Sequence, residues 1–319
     1  MTMTSHSKKE NSAVSVREMI ANNKRKKSLH NFNEKSIPVV LFLLASVTVL
    51  TTIGILYTLI IEAVHFFMEV PILDFFTGTE LRPLSQNPEF GILPLLNGTL
   101  ISSLIAILVA GPIGLMSAIY LSEYASTRVR KVLKPLLEVL AGIPTIVYGF
   151  FAFTFVTPLI RAIWPSVEAT NILSPGLVMG VMIIPMIASL SEDAMTSVPN
   201  RIREGSLAMG TTRLETTFKV VIPAALSGIV ASFVLSISRA IGETMIVTIA
   251  SGSSKNFTFD LTQSMQTMTA YIVEVSGGEA PAGSTLHYSL YAVALTLFVF
   301  TLIMNLLAKY VSRRFREEY

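Results

Sequence analysis

Charged side chains are missing from long stretches of this chain. Residues 37–61, 90–122, 139–160, 169–191 and 280–308 carry none, and 220–254 carries only Arg239 and Glu243. A membrane-spanning helix needs about 20 consecutive apolar residues, and every one of these stretches reaches that length. The pattern predicts six spanning helices, with cores at about 39–61, 97–121, 136–158, 173–191, 225–249 and 288–308. Residues 1–36 read as a polar tail with a short surface helix around Val14–Asn22, and 37–319 as one membrane domain. Pro144, between Gly142 and Gly149, is expected to kink the third helix, and Pro185 the fourth.

Composition agrees with this reading. The chain has 319 residues, 51% hydrophobic and 14% charged, against about 25% charged in an ordinary soluble domain. It has no cysteine, which excludes disulfides, thiol catalysis and cysteine–metal sites. The first apolar stretch is longer than the apolar region of a signal peptide and lacks a cleavage pattern, so an uncleaved helix is expected. His65 and His287 stand alone near span ends, and no metal or catalytic constellation is expected.

Charge fixes an expected orientation. All but four of the 24 Lys and Arg residues fall in the N-terminal tail, in Arg128–Lys134, in Arg201–Lys219 and in the C-terminal tail. With six spans these four segments share one side, which the positive-inside rule makes cytoplasmic, with both termini. The cluster Lys24–Lys27 then reads as an orientation signal that contacts anionic lipid, not as a nucleic-acid tract.

The connector 192–224 reads EDAMTSVPNRIREGSLAMGTTRLETTFKVVIPA. A first helical run over Arg201–Met209 is expected to end at Gly210 in a left-handed conformation. Thr211 or Thr212 is expected to cap a second run, Arg213–Val221. Glu204-Gly205-Ser206, three residues, Gly210, nine residues, then Val220-Val221-Ile222-Pro223 is similar to the coupling loop of ATP-binding-cassette importer permeases. That family's pattern is E-A-A, three residues, Gly, nine residues, then I-x-L-P. Here Gly205 and Ser206 stand for the two alanines, and Val220 and Ile222 for the two aliphatic positions. The resemblance implies that Glu204–Ile222 sits in a groove of an ATPase subunit and carries its motion to the spans. No G-x-x-x-x-G-K-[ST] phosphate loop is present, so the ATPase is expected to be a separate subunit that binds ATP and Mg, with no cofactor in this chain.

Arg239 and Glu243 are four residues apart inside a predicted span, on one face of a continuous helix. An Arg at a helix centre costs about 2.5–3.5 kcal/mol on insertion scales. Two readings stay open: a stitched ion pair facing the bundle, or a face lining a translocation path where the guanidinium fork meets an anion. Ser238-Arg239-Ala240-Ile241-Gly242-Glu243-Thr244-Met245 resembles the R-A-I-G-E-T segment of phosphate importer permeases. Met245-Ile246-Val247 is closer to the PstC-type subunit than to its PstA-type partner. Leu121–Tyr124 and Ala141–Gly149 agree with the same family. The resemblance runs from about residue 92 to the C-terminus.

That resemblance implies an all-α membrane protein of the type I importer (MetI-like) architecture in a bacterial or archaeal plasma membrane. Its implied partners are a PstA-type permease, an ATPase dimer and a phosphate-binding protein. The expected function is passage of inorganic phosphate, with Arg239 and Glu243 on the path. Molybdate, sulfate or phosphonate import on the same architecture is the alternative. An ion-coupled carrier or channel is further away, since it needs no docking loop.

Overall fold

The computed structural model describes residues 16–278 and 280–314, and six of its helices are long and apolar enough to cross a membrane. The chain forms two units, Met1–Thr58 and Leu59–Tyr319. Helix α1, Val16–Glu69, begins 23 residues before the first expected span, which starts at about residue 39, so the polar segment expected to hold only a short surface helix joins that span without a break. Residues 1–15 of the expected polar tail lie outside the described residues. Over 37–58 the side chains face outward, as hydrocarbon surroundings favour. The hydroxyls of Ser46, Thr48, Thr51 and Thr52 donate to the carbonyl four residues back.

Within the second unit, the spans after α1 are α3 (Leu93–Ile119, running on through one wide turn to Tyr124), α5 to α6 (Thr145–Phe151, a wide turn at 152–156, then Thr157–Ile163), α7 (Leu173–Thr196), α9 to α10 (Arg213–Thr216, a wide turn at 217–221, then Ile222–Ile241) and α13 (Thr285–Arg314). Helix α7 is the centre: 61% of its apolar window is buried, more than in any other span. It packs on α3 through small residues. A Cβ on Gly180 would lie 2.8 Å from Val109 Cβ and 3.0 Å from the Ala106 carbonyl, so only glycine lets the two backbones come this close. Around this pair lies a core of Ala106, Ala110, Met179, Met182, Ile183, Ile187, Ile246 and Val247.

Two ends of α7 carry different structures. At its N-terminal end, the short helix α2 (Ile72–Thr77) and an antiparallel hairpin of β1 (Leu81–Arg82) and β2 (Glu89–Phe90) close over α3. Phe66, Phe75 and Phe90 meet edge to face with ring centres 5.4 Å apart, the geometry that aromatic quadrupoles favour. At the C-terminal end lie α4 (Thr127–Ala141) and the connector helix α8 (Asn200–Ala208).

The third span differs from its expected range. Helix α4 ends at Ala141, the chain turns at Gly142–Pro144, and the span begins at Thr145 instead of near residue 136. The break follows from Pro144, which cannot continue an incoming helix and restricts Ile143 before it. Helix α4 has no buried residue and segregates basic from apolar side chains, so it is an amphipathic surface helix and not the start of a span.

Candidate functional site

Two places carry the residues singled out in the sequence, and the structure does not bring them together. The first is the connector. Helix α8 ends at Ala208, two residues before Gly210, whose φ is +87°. Nothing lies within 4 Å of a Cβ placed there, so the backbone angle alone calls for glycine. Thr212 then caps α9: its hydroxyl accepts from the Glu215 amide at 3.2 Å, while the Glu215 carboxylate accepts from the Thr212 amide at 3.0 Å. Ser206 closes the turn from inside, 2.9 Å from Thr211 Oγ1 and 3.1 Å from Thr216 Oγ1. Glu204 and Gly205 face outward, Val220 and Ile222 are half-buried, and Pro223 takes the first turn of α10. Met209 (85% exposed), Leu214 and Phe218 leave apolar surface on the outside of this turn.

The connector is tied inward by an arginine that the sequence did not single out. Arg203 Nη2 donates to Glu123 at 3.1 Å and to the Met195 carbonyl at 2.6 Å, and Nη1 donates to the Val198 carbonyl at 2.5 Å. One guanidinium therefore joins α8 to the last turn of α7 and to the wide turn that ends α3. Beside it Glu192, fully buried, pairs with Arg130 and with Lys134 at 2.8 Å. Arg203, Arg130 and Glu123 line one cavity of about 460 Å³ with Glu204 and Arg213.

The second place is the fifth span, and here the ion-pair expectation is corrected. Helix α10 ends at Ile241, Gly242 leaves the helix with ψ near 3°, and a new helix, α11 (Met245–Ala250), starts beyond. The four-residue spacing therefore does not place Arg239 and Glu243 on one continuous face, and the two form no salt bridge. Glu243 is 8% exposed, and its Oε1 accepts from the amides of Met245 (3.1 Å) and Ile246 (3.3 Å), capping α11. Its own carbonyl accepts from Thr269 Oγ1 at 2.7 Å, at the start of α12 (Met268–Gly277). Arg239 lies in the last turn of α10, where a helix dipole favours a cation, and its side chain faces outward. Each charge is thus met by a helix end and not by the other charge.

Around Arg239 the span presents further polar groups. Ser238 Oγ donates to Asn305 Oδ1 of α13 at 2.7 Å. The Tyr148 hydroxyl donates to the Leu140 carbonyl at 2.8 Å. Asn305 was legible as a polar residue inside the uncharged stretch 280–308, and Tyr148 as the one hydroxyl-bearing ring beside the Ala-Gly-Ile-Pro break.

Beyond α11 the segment 251–267 folds back over the N-terminal ends of α3 and α7. The Ile172 amide donates to the Gln263 carbonyl at 3.1 Å, the Glu168 amide to the Thr262 carbonyl at 2.9 Å, and the Met268 amide to Thr99 Oγ1 at 3.0 Å. This irregular backbone is paired throughout these contacts, as backbone enclosed by membrane helices must be.

The profile of the family described as binding-protein-dependent transport system inner membrane component matches residues 110–317. A Bacillus subtilis protein named probable ABC transporter permease protein YqgH is 35% identical over 242 residues, covering 76% of this chain and 78% of its own. The phosphate transport system permease protein PstC of Mesorhizobium japonicum is 33% identical over 260 residues, with 76% and 78% covered. Among solved structures, a bacterial ABC transporter involved in the import of alginate superposes with a TM-score of 0.61 at 15% identity, over 89% of this chain and 99% of that one. The inward-facing methionine transporter MetNI gives a TM-score of 0.52 at 16% identity, over 71% and 95%.

Proposed function

The chain belongs to the inner-membrane components of binding-protein-dependent transport systems, permease subunits of ATP-binding-cassette importers, and on that premise we propose that it forms the path for inorganic phosphate. The observation that carries the reading is the interruption of the fifth span. It leaves Arg239 exposed in the last turn of α10, where Glu243 does not pair with it. A charge left unpaired there calls for a partner that none of the described residues provides, and an oxyanion fits its planar fork. Relatives named for phosphate transport support the choice of anion.

In this mechanism Arg239 accepts the anion from outside and excludes cations by its own charge. Glu243 stays bound to the amides of α11 and brings a negative charge close by, which keeps the anion from binding too tightly to leave. A second permease of the PstA type provides the other wall of the path. The connector Glu204–Pro223 docks on a separate ATPase subunit, one of two. Its exposed Met209, Leu214 and Phe218 offer the apolar contact that such a groove needs. A phosphate-binding protein delivers the anion to the end that carries the β1–β2 hairpin. The basic segments favour a cytoplasmic connector and cytoplasmic termini.

Uptake of labelled phosphate by starved cells, with and without this chain and with no other phosphate transporter, tests the reading. Loss of ATP-dependent uptake on deletion, undisturbed by molybdate or sulfate, is the expected result. Unchanged phosphate uptake would remove phosphate and turn the assignment to the other oxyanions.

A further inference from the structure

Helix α4 lies along the surface of the bundle. It has no buried residue, and its half-buried Leu133 and Leu137 share a cleft with Met116 and Leu121. Near its start Arg130 pairs with Glu192, and Lys134 Nζ donates to Glu192 Oε2 at 2.8 Å and to Asp193 Oδ1 at 2.6 Å. Thr196 joins the same group: it donates to Glu192 Oε1 at 3.2 Å and accepts from Arg130 at 3.1 Å. Both oxygens of a fully buried carboxylate are thereby committed, and two cations balance two anions. At its far end the Tyr148 hydroxyl reaches back across the Gly142–Pro144 break to the Leu140 carbonyl at 2.8 Å.

Those two attachments lead to different places. Glu192, Asp193 and Thr196 occupy the last turns of α7, and there the Met195 carbonyl, with the Val198 carbonyl just beyond the helix, binds Arg203 of the connector helix. Tyr148 and Gly149 belong to α5, which rests on the interrupted span: a Cβ on Gly149 would lie 3.1 Å from the Met245 carbonyl and 3.2 Å from Ile246 Cα. A helix of 15 residues is about 22 Å long and stiff.

We propose that α4 is a lever that carries displacement of the connector to the α10–α11 break, with Glu192 as its pivot. Glu192 is then a positioning residue, acting through α4 and touching no transported anion. The proposal rests on the reading of Glu204–Pro223 as the ATPase-coupling loop. Buried ionic clusters hold a register more than they add stability, because desolvation offsets much of their attraction. A lever needs a fixed register at its pivot.

The test uses the complete importer in proteoliposomes, with ATP hydrolysed and phosphate accumulated measured together. Glu192→Gln is expected to assemble and hydrolyse ATP at the wild-type rate while phosphate moved per ATP falls by about tenfold. A structural role alone would lower both together. A second variant guards against misfolding. The chain has no cysteine, so Lys134→Cys with Asp193→Cys supplies the only two thiols of this subunit. Coupling is expected to be lost without a short bis-thiol linker and restored with it. Equal phosphate per ATP with and without the linker would overturn the lever. In parallel, Gly210→Val distinguishes the two readings. If it uncouples while Glu192→Gln does not, the coupling loop stands and the lever fails; if neither uncouples, both fail.

Discussion

Gly210 offers a perturbation whose cost is confined to the backbone. Its φ of +87° lies in the left-handed region, and the space a side chain would enter is empty. Steric exclusion by neighbours is therefore absent, and only the clash of Cβ with its own carbonyl remains, roughly 1–2 kcal/mol per residue for an L side chain. Gly210→Ala should shift the population of the sharp turn by about 5- to 30-fold on that energy. Gly210→Val should shift it further, since its branched Cβ adds χ1 crowding. Gly205 supplies the control five residues earlier. It too has empty space around it, but it lies inside α8 at an ordinary helical angle. There Gly205→Ala should stabilise the helix by about 1 kcal/mol. Amide hydrogen exchange over 200–221 reads the effect directly. Faster exchange in Gly210→Val and slower exchange in Gly205→Ala are expected, with ATP hydrolysis uncoupled from transport only in the first. Identical exchange in Gly210→Val and wild type would refute the argument.

Other consequences follow from the same contacts. Gly180→Val puts a Cβ 2.8 Å from Val109 Cβ and should destabilise the α3–α7 pair by about 1–3 kcal/mol, seen as a lower thermal midpoint in detergent. Thr212→Ala removes the cap of α9 and should cost about 1 kcal/mol, read as faster exchange of the Glu215 amide with little change elsewhere. Burial alone would lower the Lys134 ammonium, but its bonds to Asp193 and Glu192 outweigh that and raise it above 10.5. A raised folded value means that this stabilisation is complete below 10.5 and is lost only as pH climbs past the raised value. Exchange of the α4 amides, corrected for intrinsic rate, should therefore stay flat through neutral pH and rise only at strongly alkaline pH. Glu243→Gln keeps an oxygen that accepts from Met245 and Ile246, so the fold should hold while the apparent KM for phosphate and kcat fall together.

What could be read in the sequence depended on how local its cause was. The number of spans follows from charge-free length, and the connector turn follows from residues within a few positions of Gly210: one glycine angle and one capping threonine. The fifth span was less legible. Arg239 and Glu243 invite an ion pair only if the helix is continuous, and the break at Gly242 depends on α11 and on Thr269 of α12 to hold it. The third span began late because Pro144 ends the helix that carries Leu136, Val139 and Leu140, which α4 keeps exposed. The inward ties were hidden for another reason. Arg203 with Glu123 and Glu192 with Lys134 are 80 and 58 residues apart, and no local period marks such pairs. Each looked like an ordinary charge at a span end, and only packing shows that Glu192 is buried.

Accumulation of labelled phosphate by the purified importer in proteoliposomes, compared between wild type and Arg239→Ala, bears most directly on the role given to this chain. ATP-dependent accumulation by the wild type, abolished in an Arg239→Ala complex that still assembles and binds its ATPase, is the expected result. Accumulation by that variant at the wild-type rate would contradict it and leave Arg239 as a cation placed at a helix end for stability alone.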